Sequence, residues 1–264
     1  HPEYRRQRQM CIRDSKIILT ILFLINFFHF NLLFSQNKSK PTYVIVHGAW
    51  GGGWAFKKVD SLLTDSGFNV YRPTLTGQGE RAHLASKDVG LDTHIKDVIN
   101  TIFYENIENI TLIGHSYGGM VITGVADAIP ERITKLIYLD AYLPDDNESL
   151  LSIRNKNNRK TLKIKNGFII PDWVPKYKSP PKDVPQSYKT WTDTLHLKNP
   201  ERLKIPTIYI LTVKKDSNYK NDDFASQAKR ANKKGWPIFQ LEADHNPQWS
   251  APFKLVGMLE EIGQ

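Results

Sequence analysis

One cysteine, Cys11, stands in 264 residues, so neither a disulfide framework nor a cysteine-based zinc site can form. Internal repeats are lacking, and so is any sign of a second folded domain. No stripe of basic and aromatic residues and no nucleic-acid motif runs through the chain, although its formal net charge is +9. The basic residues are scattered: residues 37–264 hold 31 Lys and Arg against 25 Asp and Glu, or +6. That describes a mildly basic solvated surface and excludes nucleic acid as an expected partner. Hydrophobic residues at 40% and aromatics at 11% exclude disorder for most of the chain. The length suffices for one α/β domain with a substantial core.

The first 36 residues stand apart from the rest. The stretch RRQRQMCIRD, Arg5 to Asp14, reads as one frame of a transposon sequencing adapter. Residues 1–15 are therefore set aside as a cloning or assembly scar, Cys11 with them. Lys16 then leads into the apolar run IILTILFLINFFHFNLLF, residues 17–34, followed by the polar SQNKSK. Basic flank, apolar stretch and polar exit predict a secretory signal peptide over residues 16–36, with a mature start near Gln36. The expected location is then secreted or periplasmic, with no stable membrane association after cleavage. An A-x-A cleavage site is lacking, and a membrane anchor is the competing expectation. Its 18 residues are near the spanning minimum, but Asn26, His29 and Asn31 interrupt them.

From residue 37 onward short β-branched runs alternate with helical periods. TYVIVH (42–47), FNVYRP (68–73), NITLIGH (109–115), KLIYLD (135–140), TIYILTV (207–213) and PIFQLE (237–242) predict strands. Ile95, Val98, Ile99, Ile102 and Phe103 fall at helical spacing behind a cap at Asp92 or Thr93. Val121, Val125 and Ile129 mark a second helix; Leu255, Leu259 and Ile262 mark a last one, capped by Ser250 and opened by Pro252. Such alternation predicts an α/β fold, a mostly parallel sheet covered on both faces. Residues 144 to about 205 break the rhythm with many prolines and charges. A stretch this long inside a compact domain reads as a lid or binding loop. Trp173, Tyr177, Tyr188 and Trp191 are its expected anchors, with Trp173 and Trp191 as aromatic walls.

The stretch TLIGHSYGGMV, residues 111–121, sets one serine among three glycines between a strand and a helix. Gly114-His115-Ser116-Tyr117-Gly118 fits G-x-S-x-G in the strand–turn–helix context of a nucleophile elbow. Such a turn strains the serine and leaves its hydroxyl at a helix N-terminus, where developing negative charge is favoured. Ser116 is thus the expected nucleophile, and it needs a base and an oxyanion site. VHGAWGGGW (46–54) supplies the latter: the Ala49 N–H is expected beside that of Tyr117. His245, just past the last strand, is the expected base. His47 and His115 flank glycine turns and read as structural; His94 and His196 lack a strand-end position, and His83 is a candidate pocket wall. For the acid, the chain order nucleophile–acid–base points to Asp216, just past TIYILTV. Asp140, ending KLIYLD, is the rival. Asp222 and Asp223 read as caps for a helix beginning near Phe224.

The stretches VHGAWGGGW, LTGQGERAHL, LDTHIKDV, GHSYGGMVITGVADAIPERI and YLDAYLPDDNESL together resemble the α/β-hydrolase superfamily. Within it the chain is similar to bacterial esterases akin to plant methylesterases and hydroxynitrile lyases. The resemblance implies an eight-stranded sheet with a cap after the sixth strand over residues 37–264. It also implies ester hydrolysis by Ser, His and Asp without a cofactor; a small-molecule ester is the expected substrate, and no metal site is expected. Family members include carboxylesterases active on aryl, methyl and pyrethroid-type esters. Two departures stand out. The esterases resemble T-E-D near the acid, whereas TVKKD sets Asp216 one residue later. The lyases carry a threonine before the oxyanion residue and a lysine after the histidine, where this chain has Gly48 and Asn246. A lyase and a non-catalytic binding protein on this fold are the alternatives. Oligomeric state is not legible.

Overall fold

Residues Thr42–Val46 are buried to the last side chain, as a strand covered on both faces must be. They form β1 of a six-stranded sheet in the computed structural model, which describes residues 41–154, 162–215 and 224–263. The other strands are β2 (Asn69–Tyr71), β3 (Ile110–His115), β4 (Ile133–Leu139), β8 (Thr207–Val213) and β9 (Ile238–Glu242). Their order is β2-β1-β3-β4-β8-β9 and every pairing is parallel. These six are the strands expected from the residues themselves; the eight implied by the resemblance are not found among the described residues. Residues 1–40 lie outside the description, and the scar, signal peptide and anchor expectations with them.

The period of two along each strand divides the core in two. Val44, Val46, Leu112, Leu136 and Tyr209 face one layer, while Tyr43, Ile45, Ile113, Ile137 and Ile210 face the other. The first layer is closed by α2 (Leu91–Tyr104), α3 (Gly118–Ala128) and α6 (Ala225–Lys233); the second by α1 (Lys57–Asp65) and α8 (Pro252–Gly263). In α2 the predicted stripe buries Ile95, Val98 and Ile102, while Phe103 is half exposed under the Arg132 guanidinium. The helix is capped two or three residues earlier than Asp92 or Thr93. Gly90 precedes it, and Asp193 accepts the Leu91 amide at 3.0 Å, a cap supplied from a hundred residues away.

Between β4 and β8 the chain makes its own small structure. It contains α4 (Leu150–Ile153), a three-stranded antiparallel sheet of β5 (Ile164–Lys165), β6 (Phe168–Ile169) and β7 (Gln186–Ser187), and α5 (Lys189–Thr192). Asp127 of α3 accepts the Lys198 and Asn199 amides and so ties the end of this insertion to the main domain. Of its four expected anchors only Trp191 is fully buried; Trp173 and Tyr177 are exposed. Charge explains part of this: Lys176 and Lys178 flank Tyr177, and a segment so polar stays at the surface. The remaining helix, α7 (Pro247–Ser250), leads into α8, which Pro252 opens as expected.

Candidate active site

Four glycines explain how the chain turns at Ser116. None of Gly114, Gly118, Gly119 or Gly48 has a positive φ; the left-handed residue is Ser116 itself, at φ +54°. The glycines allow close approach instead. A Cβ on Gly118 would stand 2.5 Å from the Val46 carbonyl oxygen, and one on Gly114 2.7 Å from that of Gly118. One on Gly48 would press to 3.1 Å from both the Ser116 Cβ and the His115 Nδ1. The turn is held by the Ser116 carbonyl, which accepts the Gly119 and Tyr142 amides. A strained non-glycine residue persists only when its surroundings over-determine it.

The strand ends place the partners. In the β3–β4 register His115 lies opposite Leu139, so Ser116 and Asp140 occupy equivalent positions one residue beyond adjacent strands. Asp140 shares the left-handed backbone, at φ +44°. His245 arrives from the loop after β9, folded by the Asp244 carboxylate, which accepts the Asn246 amide and the Ser250 hydroxyl. Its Nε2 lies 3.0 Å from the Ser116 Oγ and its Nδ1 2.6 Å from the Asp140 Oδ2. Asp140 is 1% exposed, and its other oxygen accepts the Thr212 amide of β8 at 3.1 Å. Both carboxylate oxygens are therefore satisfied in a buried site.

This geometry favours Asp140, the rival acid. The Nδ1 of His245 is met by Asp140; Asp216, Asp222 and Asp223 lie outside the described residues. The reason is strand order. β4 adjoins β3, whereas β8 lies one strand further out and spends its own end on orienting the Asp140 carboxylate.

The imidazole is also held on its faces and backbone. Phe224 stacks on it at 4.6 Å and 9°, and His115 lies against it at 4.9 Å. His115 donates from Nε2 to the His245 carbonyl at 2.7 Å. Neither packing partner was expected from sequence, because both depend on loops closing over the sheet edge. Burial lowers the pKa of His115 to about 3 and of His47 and His94 to about 4, so all three are neutral. His47 accepts the Leu75 amide at Nε2 and donates from Nδ1 to the Gly48 carbonyl, which pins the loop carrying Ala49. His94, set aside in the sequence, is fully buried beside the elbow, its Nδ1 2.8 Å from the Tyr117 hydroxyl. His83 is exposed and does not line the cavity.

Above Ser116 opens a cavity of about 530 Å³. Four indoles line it, those of Trp50, Trp54, Trp173 and Trp249, together with Ala49, Phe56 and the Lys178 side chain. Trp54 stacks on Trp249, and Trp173 meets Trp50 edge-on at 4.9 Å. Trp173 is thus a wall, as expected. Trp191 is not; it packs behind Trp50, with ring centroids 5.4 Å apart.

The chain is similar to known proteins along most of its length. An esterase of Nocardioides sp. named for hydrolysing carbendazim is 49% identical over 114 residues, 43% of this chain and 47% of that protein. An alpha-hydroxynitrile lyase of Arabidopsis thaliana is 34% identical over 108 residues, 40% of this chain and 42% of that one. The chain spans about half the length of the curated relatives it matches. The crystal structure of a pyrethroid hydrolase from Sphingobium faniae superposes with a TM-score of 0.65 at 22% identity, covering 84% of this chain and 97% of that one. At that identity the likeness speaks for the fold alone. The model of the alpha/beta hydrolase family matches residues 43–257, on the same sheet that joins Ser116, Asp140 and His245, and the chain belongs to that family.

Proposed function

We propose that the protein is a serine carboxylic-ester hydrolase, with Ser116 as nucleophile, His245 as base and Asp140 as the acid that orients it. One observation carries this reading: the unbroken series Ser116 Oγ–His245 Nε2–His245 Nδ1–Asp140 Oδ2, at 3.0 and 2.6 Å, opening into a cavity. Asp140 accepts the Nδ1–H of His245, which leaves Nε2 free to take the serine proton. Ser116 Oγ bonds to the ester carbonyl carbon, and the carbonyl oxygen becomes an oxyanion. The Ala49 and Tyr117 amides are the donors proposed for it. As the alcohol's C–O bond breaks, His245 returns the proton to the leaving oxygen. Water, deprotonated by the same imidazole, then hydrolyses the acyl-enzyme and releases the acid.

The four indoles and the cavity size support small to medium hydrophobic or aryl esters as substrates. The name of the Nocardioides relative supports an esterase as well. The lyase alternative has one observation in its favour, the Arabidopsis relative. Against it, position 48 is glycine where the resemblance associates lyases with threonine, and a Cβ there would press to 3.1 Å from Ser116 and His115. The test is a panel of p-nitrophenyl and methyl esters with Ser116→Ala beside the wild type. Wild-type turnover, a loss of at least about 10³-fold in the variant and labelling of Ser116 by a fluorophosphonate are expected. Undiminished turnover by Ser116→Ala would overturn the reading.

A further inference from the structure

We propose that the insertion between β4 and β8 holds the oxyanion pocket in shape, with Gln186 as the positioning residue. The kinetic consequence rests on the ester-hydrolase reading; the structural one does not.

Trp50 follows Ala49 in the loop after β1, and its φ of +63° lies in the left-handed region, where a bulky residue is strained. Three bonds from the insertion hold it there. Its amide donates to the Gln186 Oε1 at 2.9 Å, its indole N–H donates to the Ile169 carbonyl at 3.2 Å, and its carbonyl accepts the Val184 amide at 2.9 Å. The Trp50 amide and the Ala49 carbonyl share one peptide plane. Fixing the first fixes one of the two peptide planes that meet at Ala49; the other, which carries the Ala49 N–H proposed to meet the oxyanion, is held by His47 through the Gly48 carbonyl.

Gln186 is itself held from its other end. Its Nε2 donates to the Thr190 Oγ1 at 2.8 Å, and the Thr190 hydroxyl donates in turn to the Ser187 carbonyl at 2.7 Å. A separate buried pair lies under the elbow: the Tyr117 hydroxyl meets the His94 Nδ1 at 2.8 Å, while the His94 Nε2 donates to the Thr76 carbonyl at 2.9 Å. Since Nε2 must carry the proton for a carbonyl, a neutral His94 accepts from Tyr117 at Nδ1. Gln186, Thr190, Tyr117 and His94 are each at most 1% exposed. A buried polar series of this kind specifies one arrangement, because any break strands a polar group away from water. It begins at the residue after Ala49 and runs through Gln186 and Thr190 to the Ser187 carbonyl, so the loop beside Ala49 is tied to the insertion. Glutamine suits the junction, since a single amide accepts from one side and donates to the other.

Gln186→Met keeps length and apolar volume but removes both bonds. The Trp50 amide should be protected from hydrogen exchange in the wild type and exchange at least about tenfold faster in the variant. kcat on p-nitrophenyl acetate should fall about 10²-fold with KM within about threefold, as for loss of an oxyanion donor. Affinity for a trifluoromethyl ketone should fall by the same factor as kcat/KM. Gln186→Glu keeps an acceptor for the Trp50 amide and should recover most of the rate. A merely structural role would lower the melting temperature of both variants and leave their kcat values alike. Unchanged Trp50 exchange in Gln186→Met, or faster exchange with wild-type kcat, overturns the proposal. If Gln186→Met does not fold, Thr190→Val removes the acceptor that holds the Gln186 amide in place, and wild-type exchange and kcat there overturn it equally. Absence of ester turnover in the wild type would instead sink the hydrolase reading, and Trp50 exchange still decides the positioning role.

Discussion

Replacing Asp140 by asparagine changes one atom and tests the assignment most sharply. The structure dictates which way the new amide points. The Thr212 N–H donates to Oδ1, so that atom must remain an oxygen, and the amide nitrogen then faces the Nδ1 of His245. Two donors cannot share one bond, and the imidazole answers by moving its proton to Nε2. That nitrogen, 3.0 Å from the Ser116 Oγ, then carries a hydrogen and cannot accept another. The fold should survive, because the amide keeps the shape and both contacts. The rate should not: a triad histidine in the wrong tautomer loses about 10⁴ in kcat, or about 5.4 kcal/mol of transition-state stabilisation. Steady-state kinetics on p-nitrophenyl acetate, with a thermal melt to show folding, measures this. Asp216→Asn, run beside it, should keep a rate near wild type. Asp140→Asn at near-wild-type kcat, with Asp216→Asn inactive, would refute the argument and restore the acid expected from chain order.

Other outcomes follow from burial and placement. Trp173→Ala should shift the preference between p-nitrophenyl acetate and bulky aryl esters, whereas Trp191→Ala, behind the wall, should lower the melting temperature with that ratio unchanged; equal effects of both would refute the distinction. His47, His94 and His115 have folded pKa values of about 4, 4 and 3, lowered first by burial, against 6.5 unfolded. In that window the unfolded chain binds the extra protons, so stability present at pH 7 is lost as pH falls below about 6.5, by about 1.4 kcal/mol per group and pH unit. Melting temperatures flat from pH 7 to pH 5 would contradict it. Export is proposed from residues 16–36: intact mass of exported protein should begin near Gln36, and a full-length chain in the membrane fraction would show an anchor instead.

What the sequence made legible was local. The six strands, the elbow around Ser116 and the histidine beyond the last strand each lie within a dozen residues, where periodicity and glycine spacing speak directly. The carboxylate that meets His245 was harder to read, because its position is a matter of register. Nothing in KLIYLD or TVKKD states that β4 rather than β8 pairs with β3, nor that His115 aligns with Leu139. That alignment is decided by which faces of Leu112, Leu136 and Tyr138 pack beneath α3, and only then does Asp140 stand level with Ser116. The insertion hid more still. Its aromatics drew attention as anchors, yet its hold on the site passes through Gln186 and Thr190, polar residues in an unremarkable stretch. Gln186 meets Trp50 across 136 positions of sequence, and Asp193 caps α2 across 102. Such contacts leave no periodic trace, because each needs one side chain in one place. Spacing can therefore point to the atoms that react, while the atoms that hold them still are found only once the chain has folded.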